Sequence, residues 1–178
     1  AITKKLVEMQ GGTIKIKSRQ GEGTVFSLTI PYLCVKAEAI ARSSEVSLDV
    51  AKALLKNCSV LLAEDNQFNQ IVAIDTLEQE IEGIKIDLAE NGKAALEMVK
   101  SNQYQIVLMD VQMPEMNGYE ATIAIRNLPE PKNKIYIIAM TASALKEEVQ
   151  RCYDAGMNEY VAKPFNKEEL LLKMARVN

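Results

Sequence analysis

The chain has 178 residues, 48% hydrophobic and 25% charged, which suits one ordinary soluble domain plus a smaller piece, and no apolar run nears the ~20 residues of a membrane span. A formal net charge of −3 argues against a general nucleic-acid surface, and the widely spaced Cys34, Cys58 and Cys152 point to a reducing compartment with neither disulfides nor a zinc site. There is no histidine, which removes Ser–His and Cys–His catalysis and leaves chemistry to carboxylates, hydroxyls, lysines and a hard cation.

With Ala1 at its start and no signal segment, the chain reads as a piece of something longer. Residues 1–32 read as a helix followed by a β-hairpin. Leu6 and Met9 supply an apolar side, and Gly11-Gly12 stops the helix. "TIKIK" and "TVFSLTI" alternate about a "GEG" turn, and Pro31 closes the hairpin. One helix on two strands cannot bury a core alone, so this region belongs to a truncated domain or borrows a partner surface, expected from the following domain of this chain or from a second copy. Residues 33–57 read as a linker, partly helical, with a break at Ser43-Ser44.

From Cys58 strands and helices alternate. "CSVLLA", "IKIDLA", "YQIVLM", "KIYIIAM" and "EYVA" read as strands. Helices are expected over about 67–80, 93–100 and 118–127. A fourth has Leu145, Val149, Cys152 and Tyr153 as its apolar face and Gly156 as its stop. Asn166 caps the last helix, with Glu169 completing a capping box. Five such units imply a parallel sheet covered by helices on both faces.

The strand exits carry the chemistry. "VLLA" leads into Glu64-Asp65, "IVLM" into Asp110, "IIAM" into Thr141 and "YVA" into Lys163. Alone, each residue is a cap, a turn residue or a solvated side chain. In a parallel sheet all these ends share one edge, where ligands bind. Three carboxylates meeting there raise one another's pKa unless positive charge sits among them. Lys163 offsets one charge, and a sparse oxygen site suits Mg²⁺. A carboxylate can attack phosphorus, and Lys163 and Thr141 can stabilise the phosphoryl oxygens.

These stretches carry a family resemblance. "VLLAEDNQFNQ", "AENGKAALEMV", "IVLMDVQMPEMNGYEATIAIR", "IIAMTASA" and "AGMNEYVAKPF" make residues 58–178 resemble a response-regulator receiver domain of two-component signalling. The resemblance implies a flavodoxin-like, doubly wound α/β fold with strand order 2-1-3-4-5. It implies Asp110 as phosphoacceptor and a site for Mg²⁺ (or Mn²⁺) formed by Glu64, Asp65, Asp110 and the backbone carbonyl of Gln112. Lys163 binds the phosphoryl group and precedes a cis Pro164. Thr141 and Tyr160 form a switch pair that reshapes a partner surface. Gln112 and Ser143, each two residues past a site residue, tune the lifetime of the phosphoryl group.

Residues 1–32 resemble the end of a histidine-kinase ATP-binding domain. Kinase end then receiver is the order of a hybrid histidine kinase. The implied partners are the phosphodonor domain of the parent chain and a histidine phosphotransfer protein, with a homodimer through the hairpin and no nucleic acid or direct membrane contact. The implied location is cytoplasmic, with a parent that is membrane-anchored or not. The glycine-rich nucleotide boxes and the phosphorylated histidine are absent from these 178 residues, which are therefore expected to bind no ATP and to catalyse only the phosphorylation and dephosphorylation of their own Asp110.

Three other readings fit less well. A phosphorylation-independent binding module has no need of the intact acidic pair, Asp110, Thr141 and Lys163. A haloacid-dehalogenase-like phosphatase carries Asp-x-Asp after its first strand, whereas the candidate nucleophile here follows the third, with Gln112 two residues on. An FMN-binding flavodoxin needs a hydroxyl- and glycine-rich phosphate loop where this chain has Glu64-Asp65.

Overall fold

The computed structural model describes residues 2–9, 11–19, 21, 23–31, 47–143 and 145–177. The chain folds as two compact units, residues 1–44 and 45–178.

In the first unit, α1 (Ile2–Met9) precedes strands β1 (Thr13–Arg19) and β2 (Gly23–Thr29). The strands pair antiparallel, with Ile14 opposite Leu28 and Ile16 opposite Phe26. Gly11 takes φ +70 and ends the helix, and a Cβ on Gly12 would lie 2.6 Å from the Thr29 carbonyl oxygen. Of the expected apolar side of α1, Met9 is 76% exposed and the Leu6 side chain lies outside the described residues, while Val7 is buried. The cause is local, because the Gly12 N–H donates to the Val7 carbonyl and draws that residue onto the hairpin. Ile16, Phe26 and Leu28 stay largely exposed, so the hairpin carries the open apolar face expected of it.

The second unit opens with α2 (Leu48–Leu55). Then β3 (Ser59–Ala63), α3 (Gln67–Glu80), β4 (Lys85–Ala89), α4 (Gly92–Ser101) and β5 (Ile106–Asp110) alternate. They are followed by α5 (Gly118–Arg126), β6 (Tyr136–Thr141), α6 (Lys146–Asp154), β7 (Glu159–Ala162) and α7 (Lys167–Met174). The sheet order is β4-β3-β5-β6-β7 with every pair parallel, the expected 2-1-3-4-5. Strand order reverses at β3, which pairs with both β4 and β5.

Side chains alternate across the sheet, as the two-residue period of a strand requires. Val60, Leu62, Ile106, Leu108, Ile138 and Met140 enter one core with residues of α2, α3 and α7. Leu61, Ala63, Val107, Met109, Ile137 and Ala139 enter the other with residues of α4, α5 and α6. Both faces are covered, which is why these strands read as unbroken apolar runs.

Three local expectations change. Residues 48–55, read as part of a partly helical linker, form a helix that packs onto the domain: Ala51 and Leu55 are buried, Leu55 in the first core, and Ser47 accepts from the Val50 N–H as its cap. Ser43-Ser44 lie outside the described residues. On α6, Cys152 is buried but Tyr153 is 42% exposed, and Leu145, which is the N-cap and so stands ahead of the first turn, is 69% exposed. Asn166 caps α7 by accepting from the Glu168 and Glu169 N–H groups, but Glu169 pairs with Lys173 one turn on (2.7 Å), so the reciprocal half of the box is missing. The full capping box forms instead at Asn117 and Glu120 of α5. No helix among the described residues is long and apolar enough to cross a membrane.

Candidate functional site

The sheet register builds the site. Ala63 lies opposite Met109, so Glu64 and Asp65 leave β3 beside Asp110 at the end of β5. One carboxylate oxygen from each of Glu64, Asp65 and Asp110 lies within 4.8 Å of the others. Lys163 arrives from the far strand, its N–H bonded to the Thr141 carbonyl (2.7 Å). Its Nζ lies 2.5 Å from Glu64 Oε2 and 2.7 Å from Asp110 Oδ2. The Lys163–Pro164 bond is cis. Residues 64, 110 and 163, far apart in sequence, thus form one ion-paired cluster at the point where strand order reverses.

The carboxylates are not equivalent. Glu64 is fully buried and Asp110 is 6% exposed, while Asp65 faces solvent. Asn69, in the first turn of α3, donates Nδ2 to Glu64 Oε1 (2.8 Å), and Gln70 Nε2 donates to the Glu64 carbonyl (2.7 Å). The Gln112 N–H donates to Asp110 Oδ1 (3.1 Å). Burial pushes the Asp110 carboxyl above its ordinary pKa, against the hydrogen bond and charge of Lys163 and the Gln112 N–H. Three hard oxygen donors converging from two strand ends fit a small divalent cation such as Mg²⁺ and offer nothing to a soft metal.

The loop after β5 is held tightly. Pro114 accepts from the Met116 N–H (2.7 Å), Glu115 takes φ +63, and the Gly118 N–H returns to the Val111 carbonyl (3.0 Å). Glycine is required at 118, where a Cβ would stand 2.2 Å from the Asp110 carbonyl oxygen. Proline and glycine after the strand therefore shape the backbone under Asp110.

Thr141 ends β6 and is buried. Its Oγ1 donates to the Ser143 carbonyl (3.0 Å) and accepts from the Ser143 N–H (3.2 Å). It lines a cleft of about 480 Å³ with Gln112, Tyr119, Glu148 and Arg151. Tyr160 on β7 is half-buried, its ring 6.4 Å from that of Tyr153 in an edge-on arrangement. The sheet therefore gathers Glu64, Asp65, Asp110 and Lys163 directly, and sets Thr141, Ser143 and Gln112 at the rim. The sequence reading does not single out the supports Asn69, Gln70 and Gly118. The legible signal was Asn69 on the first turn of a helix that starts just after the acidic pair.

Comparison with known proteins agrees with this geometry. Residues 60–175 match the family model of the response regulator receiver domain. The chain is 35% identical over 166 residues to the aerobic respiration control sensor protein ArcB of Escherichia coli (strain K12), covering 93% of this chain and 20% of that protein. It is 33% identical over 176 residues to hybrid signal transduction histidine kinase K of Dictyostelium discoideum, covering 93% of this chain and 14% of that one. The chain thus spans a fifth or less of the length of these curated relatives. Among solved structures, the receiver domain of sensor histidine kinase PA1611 from Pseudomonas aeruginosa PAO1 has a magnesium ion coordinated in its active site cleft. It matches with TM-score 0.61 and 38% identity over 67% of this chain and 95% of that one. The receiver domain of the Saccharomyces cerevisiae response regulator Ssk1, solved with the histidine phosphotransfer signaling protein Ypd1, matches with TM-score 0.58 and 31% identity over 64% of this chain and 83% of that one.

Proposed function

This chain belongs to the response regulator receiver domain family, and from that premise we propose that Asp110 accepts a phosphoryl group within a hybrid histidine kinase phosphorelay. The observation that carries the reading is Lys163, whose ammonium bridges Glu64 and Asp110 at the sheet edge. An Asp110 carboxylate oxygen attacks the phosphorus of a phosphohistidine. The new O–P bond forms as the N–P bond breaks, and its electron pair returns to the imidazole of the donor. Lys163, free to exchange its Asp110 contact for a phosphoryl oxygen, stays anchored by Glu64 and neutralises developing charge. The Gln112 N–H holds the nucleophile in place. Glu64, Asp65, Asp110 and the Gln112 carbonyl would hold Mg²⁺, or Mn²⁺, which supplies further charge neutralisation on the phosphoryl oxygens when bound. Thr141 then exchanges its bonds to Ser143 for the phosphoryl group, and Tyr160 turns inward behind it.

The proposed partners are the phosphodonor domain of the parent chain and a histidine phosphotransfer protein, in a cytoplasmic setting. The Ypd1–Ssk1 pair supports the second, as does an apolar patch beside the site. Phe68 is 74% exposed, Ile71 57% and Val72 41%, and Phe68 and Val72 flank a cleft shared with Lys163 and Pro164. Residues 1–32 are proposed as the end of a kinase ATP-binding domain. The exposed Ile16, Phe26 and Leu28 support their covering by the receiver domain or by a second copy. Light scattering that shows a monodisperse monomer, with fast hydrogen exchange over residues 13–30, would count against this.

Intact-protein mass spectrometry after incubation with a small phosphodonor and Mg²⁺ tests the central claim. One added phosphoryl group, absent from Asp110→Asn and without Mg²⁺, is the expected result. No addition to folded protein would favour a phosphorylation-independent binding module.

A further inference from the structure

The proposed switch leaves a question of restraint: what keeps Tyr160 where it is while Asp110 is bare? From the surroundings of its ring we infer that Lys173 is a positioning residue that holds Tyr160 outward and sets the threshold of the switch. This inference rests on the reading of Tyr160 as a residue that turns inward.

Lys173 Nζ stands 4.3 Å from the centroid of the Tyr160 ring, in cation–π range. The same ammonium donates to the Tyr160 carbonyl oxygen. It pairs with Glu169 Oε1 at 2.7 Å and stands 4.0 Å from Glu159 Oε2. Glu159 is held in turn by Arg176. The Lys173 side chain is only 13% exposed, so its three donors have defined partners and the cation is fixed in place. On another side the ring meets the edge of Tyr153. Residues from α6, β7 and α7 thus converge on one aromatic ring, and α7 contributes the charge.

The energetic consequence follows directly. A Tyr160 ring that turns inward leaves the ammonium, while the Glu169 and backbone contacts of Lys173 remain. The cation therefore favours the outward state alone, and only an interaction that differs between two states shifts their balance. Lys173→Met keeps the length and apolar stem but removes the cation. The inward fraction of unphosphorylated protein is expected to rise roughly threefold to tenfold, the worth of one partly buried cation–π contact. Lys173→Arg keeps a cation that stacks on aromatic rings and restores the outward state.

The test uses ¹⁹F NMR of the full chain labelled with fluorotyrosine, the Tyr160 signal being identified by its loss in Tyr160→Phe. Wild-type spectra with and without Mg²⁺ and beryllofluoride first locate the two positions. An unmoved Tyr160 signal in that control overturns the switch reading and the clamp with it. Where the control moves, the clamp requires the resting signal of Lys173→Met to shift toward the activated position, Lys173→Arg to return it, and phosphorylation by a small phosphodonor to quicken by a similar factor in the Met variant. A resting signal in Lys173→Met identical to wild type refutes the clamp alone. Glu169→Gln, which loosens the cation from the exposed side, is a second variant, expected to shift the signal in the same direction by less; no shift in either variant also refutes the clamp.

Discussion

Gly118 sits against the backbone of Asp110, so closely that a Cβ on residue 118 would stand 2.2 Å from the Asp110 carbonyl oxygen and 3.0 Å from the Val111 Cα. The first turn of α5 is thereby seated under Asp110. Both contacts are backbone, so neither can rotate away. Gly118→Ala should cost about 1–3 kcal/mol, the usual range for overpacking. Urea unfolding measures that loss, and phosphorylation should slow as the Asp110 carboxylate shifts. An unchanged midpoint would mean that the loop yields freely.

Lys163 neutralises two carboxylates, one of them fully buried. Lys163→Met removes the cation and leaves both oxygens facing each other. Breaking one partner of a buried pair costs about 3–5 kcal/mol, a ceiling here because the lysine retains some solvent contact. The same change should tighten Mg²⁺ binding, since the competing charge is gone, while phosphorylation falls sharply. Calorimetric titration with Mg²⁺ distinguishes these effects, and weaker metal binding would contradict the electrostatic account.

Asp110 has its pKa raised by burial, so ionisation in the fold opposes stability. The penalty is absent below the ordinary value of 3.8, grows as pH rises through the folded value, and is full above it. Asp110→Asn carries no such charge. In metal-free protein it should melt above wild type at pH 7, and the two curves should converge toward pH ~3.5. Equal melting temperatures at neutral pH would show that Lys163 fully compensates burial.

Glu80 joins α2, α3 and α7, with Lys52 at 2.5 Å and Lys167 at 2.6 Å. The hydrogen bond from Lys167, then that from Lys52, lowers its pKa to about 2 from 4.5. A lowered carboxyl pKa stabilises the fold above the ordinary value, and that contribution fades as pH falls toward the folded one. Glu80→Gln should therefore unfold more easily than wild type at pH 7, with the difference disappearing as pH drops from 4.5 to about 2. High salt should shrink it at neutral pH. A difference independent of pH would trace to packing instead.

Gln112 shares the cleft of Thr141, and the Ser143 backbone N–H and carbonyl hold the Thr141 hydroxyl while the Ser143 side chain accepts from the Leu145 N–H beside it. Exchanging Gln112 and Ser143 for alanine together should change the rate at which phosphorylated protein loses its phosphoryl group, followed by mass spectrometry. An unchanged rate would remove both from the control of water attack.

The sequence by itself determined the strands, most helices and which residues stand at the strand exits. Apolar runs such as "IVLM" declare buried strands, and the residues just beyond them are fixed at strand exits by chain connectivity alone. Parallel order follows from alternation, so Glu64, Asp65, Asp110, Thr141 and Lys163 could be assigned to one edge before any coordinates. Only the tertiary structure decided how those residues divide the work of charge and burial. Glu64 is buried because α3 brings Asn69 and Gln70 over it, whereas its neighbour Asp65 points to solvent. The same holds for α2, whose short amphipathic run resembles a tether until α3 and α7 present a groove for Leu55. Lys173 carries no mark in its local sequence, and its place over Tyr160 arises only when α7 packs against β7. Local pattern reports which face of an element is apolar; which side chains meet across elements depends on packing that no local window contains.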